Sequence, residues 1–417
     1  MLKDEGGRMK AEENQFSFIL HPSSFILHPS SFLYEEQFMT ANKKPPVLVV
    51  LQMSGAYDAL NTFIPYSDPL YMDYRPVLKV EPEQVLHVDD QVGFHPAMAP
   101  LKALYDQGKV AVLQGIGYPN PIRSHFRSMD IWHTAEPAKM VTDGWLGRAI
   151  RDLDPHKENI LTAVNFGRGL PRALAAPGVS VASVGNLATY GVLTGIQGED
   201  QRTEALDIFA RTYAPAIGSG PVNDYLSQTG LDALKGADIL STALQQYSST
   251  VEYNRDLFAQ WLKNIAQVHL ADFGTRILYT GVNPGTFDTH ANQNITFPKL
   301  WNEVTSAVST FYHDLKEHHA NEEVVILMFT EFGRRVKENG SGTDHGSGGV
   351  AFVIGDAVKG GLYGEYPSLK PEKLDEGDLQ WNSDFRSTYA TLLEQWMGLD
   401  SKAILRGSFE QLDFIKK

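Results

Sequence analysis

The stretch EVVILMFTEFGRRVKENGSGTDHGSGGVAFVIG, residues 323–355, limits this chain's folding choices more than any other. It holds two short, continuously apolar runs, Val324–Phe329 and Val350–Ile354. Runs of that length without a polar face read as strands buried on both sides, the kind found in α/β sheets covered by helices. The connection between them is rich in glycine and carries Glu331, Arg334, Arg335, Asp344 and His345. Ligands of open α/β sheets bind outside the carboxyl ends of the strands, so this segment is the first place to look for chemistry.

Other segments extend the pattern. Residues 46–52 (PVLVVLQ) read as a central strand. A helical spacing of apolar residues over 95–109 stops at Gly108, and the strand 110–117 follows at once. That β–loop–α–β order implies a right-handed crossover and a parallel relationship. A helix is expected to start near Arg123 or Ser124, after the Pro-Asn-Pro turn. Residues 160–167, 179–184 and 276–282 read as further strands, and 203–271 as two or three helices on one flank. Amphipathic helices are expected over 300–319 and 383–398, the latter with Ser383 as N-cap and Gly398 as C-cap. No linker divides 43–417, which reads as one domain. Residues 1–42 contain FILHPSS twice in tandem and read as a disordered leader, with Met39 as an alternative start.

Composition closes several routes. There is no cysteine, which excludes disulfides, thiolate nucleophiles and Cys-based metal sites. Any metal must be held by Asp, Glu, His, backbone or water. A formal net charge of −14 argues against nucleic acid or an anionic membrane surface as partner, while leaving room for a local pocket that receives a small anionic substrate. No apolar stretch approaches the ~20 residues of a membrane span, and neither a signal peptide nor a twin-arginine signal is evident, which places the chain in the cytoplasm.

Donor side chains recur beside strand ends. Asp58 follows the first strand, Asp288 and His290 follow the strand at 276–282, Glu331 stands two residues past Phe329, and His345 precedes the strand at Val350. Positions i and i+2 of an extended chain point the same way, so Asp288 and His290 can grip one cation. His345 reaches the same edge only if its strand runs antiparallel to its neighbours or the 336–349 loop folds back. Carboxylates with imidazoles suit Zn or Mn. Each residue also has a structural reading: Asp58 as a turn or N-cap residue, Asp288 and Asp344 as turn closers, Glu331 as a partner of Arg334. The segment RSHFRS (123–128) forms a second group, with Ser124 at a helix start between Arg123 and Arg127. It can cradle an anion or carry a hydroxyl nucleophile, or it can be an N-cap flanked by surface arginines.

The segments QMSGAYDALNTFIPY, GYPNPIRSHFRSMDIWHT, GWLGR, FDTHANQ, TEFGRRVKENGSGTDHGSGG, VKGGLYGEYPSL and SDFRSTYATLLEQW carry a resemblance. Over roughly 45–398 the chain resembles an uncharacterised bacterial family, domain of unknown function 1501, which is itself similar to the alkaline phosphatase and sulfatase superfamily. The resemblance implies a three-layer α/β/α sandwich with a mostly parallel mixed sheet and divalent metal at the C-terminal strand edge. It implies Asp58, Asp288, His290, Glu331 and His345 as metal ligands, Ser124 as the nucleophile and Arg123 and Arg127 as charge stabilisers. Many superfamily members carry Asp-His where this chain has Glu331-Phe332, and phenylalanine cannot ligate, so one metal site is expected rather than two. The expected function is a metal-dependent hydrolase or transferase of a phosphate or sulfate ester, working through a serine or a metal-bound water. The alternatives are an inactive relative that serves as a binding or assembly protein, and a carboxyl-ester or amide hydrolase that needs no serine.

Overall fold

A computed structural model of the chain describes residues 44–190 and 239–417, together with 200–201, 204–205, 207–208 and 236–237. The leader expected over 1–42 lies outside the described residues, as does most of 203–238 within the segment 203–271 expected to form two or three helices, whose end is the helix Leu257–Leu270.

A nine-stranded sheet forms the centre. Its strands are β1 (Val47–Gln52), β2 (Val110–Gly117), β3 (Ala163–Phe166), β4 (Ala182–Val184), β5 (Ile277–Gly281), β6 (Val324–Phe329), β7 (Gly349–Ile354), β8 (Gly361–Tyr363) and β9 (Ser383–Asp384). The order across the sheet is β8-β2-β7-β6-β1-β5-β3-β4, with β9 beside the end of β2. β1 and β2 run the same way, as their connection requires, but β7 and β6 lie between them.

Alternation of side chains sends successive residues to opposite faces of the sheet. Val47, Val49 and Leu51 pack against α1 (Ala99–Asp106), α4 (Leu257–Leu270) and α5 (Gln293–Glu317). Leu48 and Val50 join the opposite core, which contains α2 (His125–Thr134), α3 (Trp145–Leu153) and α6 (Phe385–Thr391). The result is a three-layer α/β/α sandwich with a mostly parallel sheet. All six residues of β6 are buried, as a strand covered on both faces must be. The contacts join residues 45–417 in one compact unit. No helix among the described residues is long and apolar enough to cross a membrane.

One strand opposes the rest: β7 is antiparallel to both β2 and β6. This meets the requirement that the position of His345 sets, because the start of β7 then lies level with the ends of its neighbours. Register completes the edge. Gln52 of β1 pairs with Phe329 of β6 and Gly281 of β5, and Gly349 of β7 pairs with Ile116 of β2. Five connections therefore emerge together: 53–58, 118–125, 282–292, 330–335 and the approach to Gly349.

Two helix boundaries differ from expectation. α5 begins at Gln293 rather than near Leu300 and accommodates Pro298 in its interior. The helix expected over 383–398 is capped by Asp384, whose carboxylate accepts from the Arg386 amide, while Ser383 pairs with β2. Beyond Thr391 this helix widens to a π-helical turn over Leu392–Trp396.

Candidate metal centre

Three imidazoles and a carboxylate meet where these connections converge. His125 is the first residue of α2, Asp288 and His290 lie in the loop after β5, and His345 lies just ahead of β7. His125, Asp288 and His345 each offer a ligand atom within 4.8 Å of one another. His345 Nε2 stands 3.0 Å from His125 Nε2 and 3.0 Å from His290 Nε2. Asp288 Oδ1 lies 3.1 Å from His290 Nε2 and 3.2 Å from His345 Nε2, and Oδ2 lies 3.5 Å from His125 Nε2.

The other nitrogen of each ring fixes its tautomer. His125 Nδ1 is 2.7 Å from Glu331 Oε1, His290 Nδ1 is 3.1 Å from Asp344 Oδ1, and His345 Nδ1 is 2.9 Å from the carbonyl of Arg123. All three partners only accept, so each Nδ1 carries the proton and donates it. In its neutral form each ring presents a bare Nε2 lone pair, and the nitrogens of His125 and His290 both lie 3.0 Å from that of His345. Satisfying these contacts with protons alone takes two imidazolium rings around one His345 nitrogen. A cation satisfies them all at once. The spacing fits: a tetrahedral shell with bonds of ~2.0–2.1 Å has edges of about 3.3 Å. Histidine ligands whose second nitrogen is held by a carboxylate or carbonyl are the usual arrangement of metal sites. His125, Asp288 and His345 therefore fit one divalent cation, with His290 beside them as a fourth donor.

Charges around the point are arranged for this. Burial pushes the Asp288 carboxyl up, and the hydrogen bond and charge of Arg334 more than offset that, so it titrates below the usual carboxylate range. Arg334 is itself buried and donates to Asp288 Oδ1 and to the carbonyls of Gly55, Ala56 and Thr343, which ties three connections together. Burial likewise raises the Glu331 carboxyl, while His125, Thr330 and the Gly55 amide bring it below its ordinary value. His125 is correspondingly raised, first by its hydrogen bond to Glu331, against the effect of burial. Gly55, at φ +112°, is required here: a Cβ would sit 2.6 Å from the amides of Phe287 and Asp288.

The expected residues fare differently. Asp288, His290 and His345 meet in the cluster. Glu331 reaches it through His125, as the carboxylate behind a ring. Asp58 is fully buried and its oxygens are engaged by Arg75 and Gln293, the latter at 2.6 Å, so its bonds lead away from the cluster. Arg123 ties its guanidinium to Asp378 at 2.7 Å and to Glu376, and reaches the cluster by its carbonyl alone. Arg127 donates to the carbonyls of Pro137 and Lys139. Ser124 is exposed at the N-cap of α2, and its side chain makes no capping bond. Ser128, one turn on, is buried and donates to the Glu331 carbonyl while accepting from Tyr118.

His125 was hidden from sequence reasoning inside RSHFRS, whose serines and arginines drew attention. The available signal was a histidine at a helix start directly after a strand end on the predicted edge. Asp344, read as a turn former, holds His290. Phe332 cannot ligate, as expected, but its ring lies 5.0 Å from that of His125 and 5.3 Å from that of His345, forming an apolar wall beside them.

One family profile agrees with the resemblance in the sequence. The profile of a family described as a protein of unknown function, DUF1501, matches residues 224–408, which include Asp288, His290, Glu331 and His345. No curated protein matches the chain. Among solved structures, a sulfatase from Pseudoalteromonas sp. is 12% identical, with 91% of this chain and 72% of that one covered at a TM-score of 0.41. A protein in the alkaline phosphatase superfamily from Vibrio parahaemolyticus is 11% identical, covering 90% and 76% at a TM-score of 0.37. A phosphonate monoester hydrolase from Silicibacter pomeroyi is 12% identical, covering 88% and 76% at a TM-score of 0.38.

Proposed function

We propose that this protein is a metal-dependent hydrolase or transferase acting on a phosphate or sulfate ester, with a single divalent cation, Zn or Mn, held by His125, His290, His345 and Asp288. The observation that carries the reading is the convergence of three Nε2 lone pairs, each fixed from behind by an acceptor, on one carboxylate. The ester class follows from the family resemblance. Bound there, the cation supplies Lewis acidity toward a phosphoryl or sulfuryl oxygen and acidifies a neighbouring hydroxyl or water.

The chain's own groups divide the remaining work. Glu331, Asp344 and the Arg123 carbonyl hold the rings in place. Arg334 keeps Asp288 ionised. Three carboxylates (Asp288, Glu331, Asp344) against one guanidinium leave a local excess of two negative charges, which a divalent cation cancels, so an anionic ester can approach. Ser124, next to His125 and exposed, is the candidate hydroxyl nucleophile, and water is its substitute.

Elemental analysis tests the reading, with wild type compared against His125→Ala and His345→Ala. Near-stoichiometric Zn or Mn in wild type, lost in both variants, together with metal-dependent cleavage of an aryl phosphate or aryl sulfate, is the expected result. No metal after incubation with either ion refutes it. If Ser124→Ala leaves ester turnover intact, water is the nucleophile.

A further inference from the structure

Behind the cluster lies a buried chain of polar groups that none of the proposed catalytic roles uses. Arg75, Asp58, Gln293, Thr289 and Thr343 are all buried, at no more than 6% exposure. Their hydrogen bonds converge on Asp58 from both ends. Arg75 donates to both oxygens of Asp58, and Gln293 Nε2 donates to Asp58 Oδ2 at 2.6 Å. Both Asp58 oxygens accept from the guanidinium, so the side chain faces Gln293 as an acceptor. This orients the Gln293 amide: its nitrogen must face Asp58, and its oxygen must face the other way. There Oε1 receives the hydroxyls of Thr289 at 3.0 Å and Thr343 at 2.8 Å.

Those two threonines sit within the ligand segments. Thr289 lies between Asp288 and His290. Thr343 immediately precedes Asp344, the carboxylate behind His290, and then His345. One amide oxygen thus joins the two loops that supply three of the four proposed ligands. The loops are also in direct contact, since the Thr343 amide donates to the Thr289 carbonyl and the Gln293 amide to the Ser341 carbonyl. At the other end of the chain, Arg75 donates to the carbonyls of Val336 and Arg335 and so anchors the network to the segment that follows Arg334.

We propose that Gln293 is a positioning residue of the metal centre, with Asp58 setting the sense of its amide so that its oxygen holds the Asp288–His290 and Asp344–His345 segments at ligating distance. The inference rests on the metal-site reading above. It gives Asp58 a place in the centre without ligation: its charge is spent on orienting a neutral amide rather than on the cation. Outer partners of this kind typically govern metal affinity by 10–100-fold.

The test replaces the amide without emptying its volume. Gln293 also lines a cavity of about 350 Å³ with Asn61, His95 and Phe297, so truncation to alanine would open the network to that space. Gln293→Met keeps the length and removes both the acceptor and the donor. Zn affinity of the folded protein, measured by competition with a chelating indicator, is expected to fall 10–100-fold, with the melting transition of the metal-free protein still cooperative. Gln293→Glu sets two carboxylates against each other and is expected to fall at least as far.

A merely structural role would lower the melting temperature in both variants and leave the affinity of the folded fraction unchanged. That result overturns the proposal while the metal site stands. Wild type that binds no Zn overturns the metal site and this proposal with it.

Discussion

Acidification should destabilise this protein through a histidine that lies outside the metal cluster. His133, at the end of α2, is 9% exposed and stands 2.8 Å from Gln52 Oε1, with Tyr279 also against its Nε2. Burial first, and then the positive charge of Arg172, hold its pKa down at about 4. In the unfolded chain an imidazole titrates near 6.5. Between those values the unfolded chain binds a proton that the folded protein refuses. The stability contributed by the neutral ring is therefore complete above about pH 6.5 and drains away as pH falls toward 4. At pH 5 the loss is about 2 kcal/mol, from RT times the logarithm of the ratio of the two binding polynomials, and it approaches about 3 kcal/mol once pH is below both values. His95, whose ring is also held at about 4 by burial, should add a similar amount. Urea denaturation midpoints at pH 8, 6 and 5 would measure the effect, with His133→Gln as the control because an amide can still donate to Gln52. The variant should lose about 2 kcal/mol less than wild type between pH 8 and 5. Parallel stability curves for the two proteins would refute the assignment, since the acid sensitivity would then belong elsewhere.

Three further outcomes follow from particular contacts. Glu331→Gln, which leaves all four proposed ligands in place but removes the charge behind His125, should weaken Zn binding 10–100-fold in chelator competition; unchanged affinity would mean that His125 needs no carboxylate partner. Gly342→Ala would put a Cβ 2.3 Å from the Thr289 carbonyl oxygen and the His290 carbonyl carbon, so urea denaturation should show a loss of about 2 kcal/mol or more, and a neutral result would contradict the close approach of the two ligand loops. Trp132→Ala should cost about 3–5 kcal/mol in the same assay, because the indole stacks between Phe329 and Phe385 and donates to the Glu331 carbonyl at 2.8 Å.

Strand ends were legible in the sequence because the physics that marks them is local: a strand covered on both faces must be continuously apolar, and the first polar residues after it mark the edge. The reversed direction of β7 was one of two arrangements the sequence required, since His345 precedes its strand and reaches the common edge either that way or by a fold-back of the 336–349 loop. Ligand identity is a different kind of question. Asp58, Glu331 and Asp288 all follow strands, and nothing local distinguishes them. What separates them is which base or cation reaches each carboxylate first. Asp58 is claimed by Arg75, seventeen residues away around a loop, and by Gln293 from a distant helix start. Glu331 is claimed by His125, 206 residues away in the chain. Asp288 is approached by Arg334 on one oxygen, which leaves room for the imidazoles around both. The start of α5 was obscured for a related reason. Pro298 argues locally against a helix, yet the turn before it is needed to bring Gln293 under both ligand loops, and tertiary contacts there outweigh the hydrogen bond that proline removes. A buried carboxylate at a strand end thus becomes a ligand, a ring holder or an amide holder according to the partner that the fold delivers to it. The three roles leave the same trace in one sequence, and they separate only when pairwise distances are known.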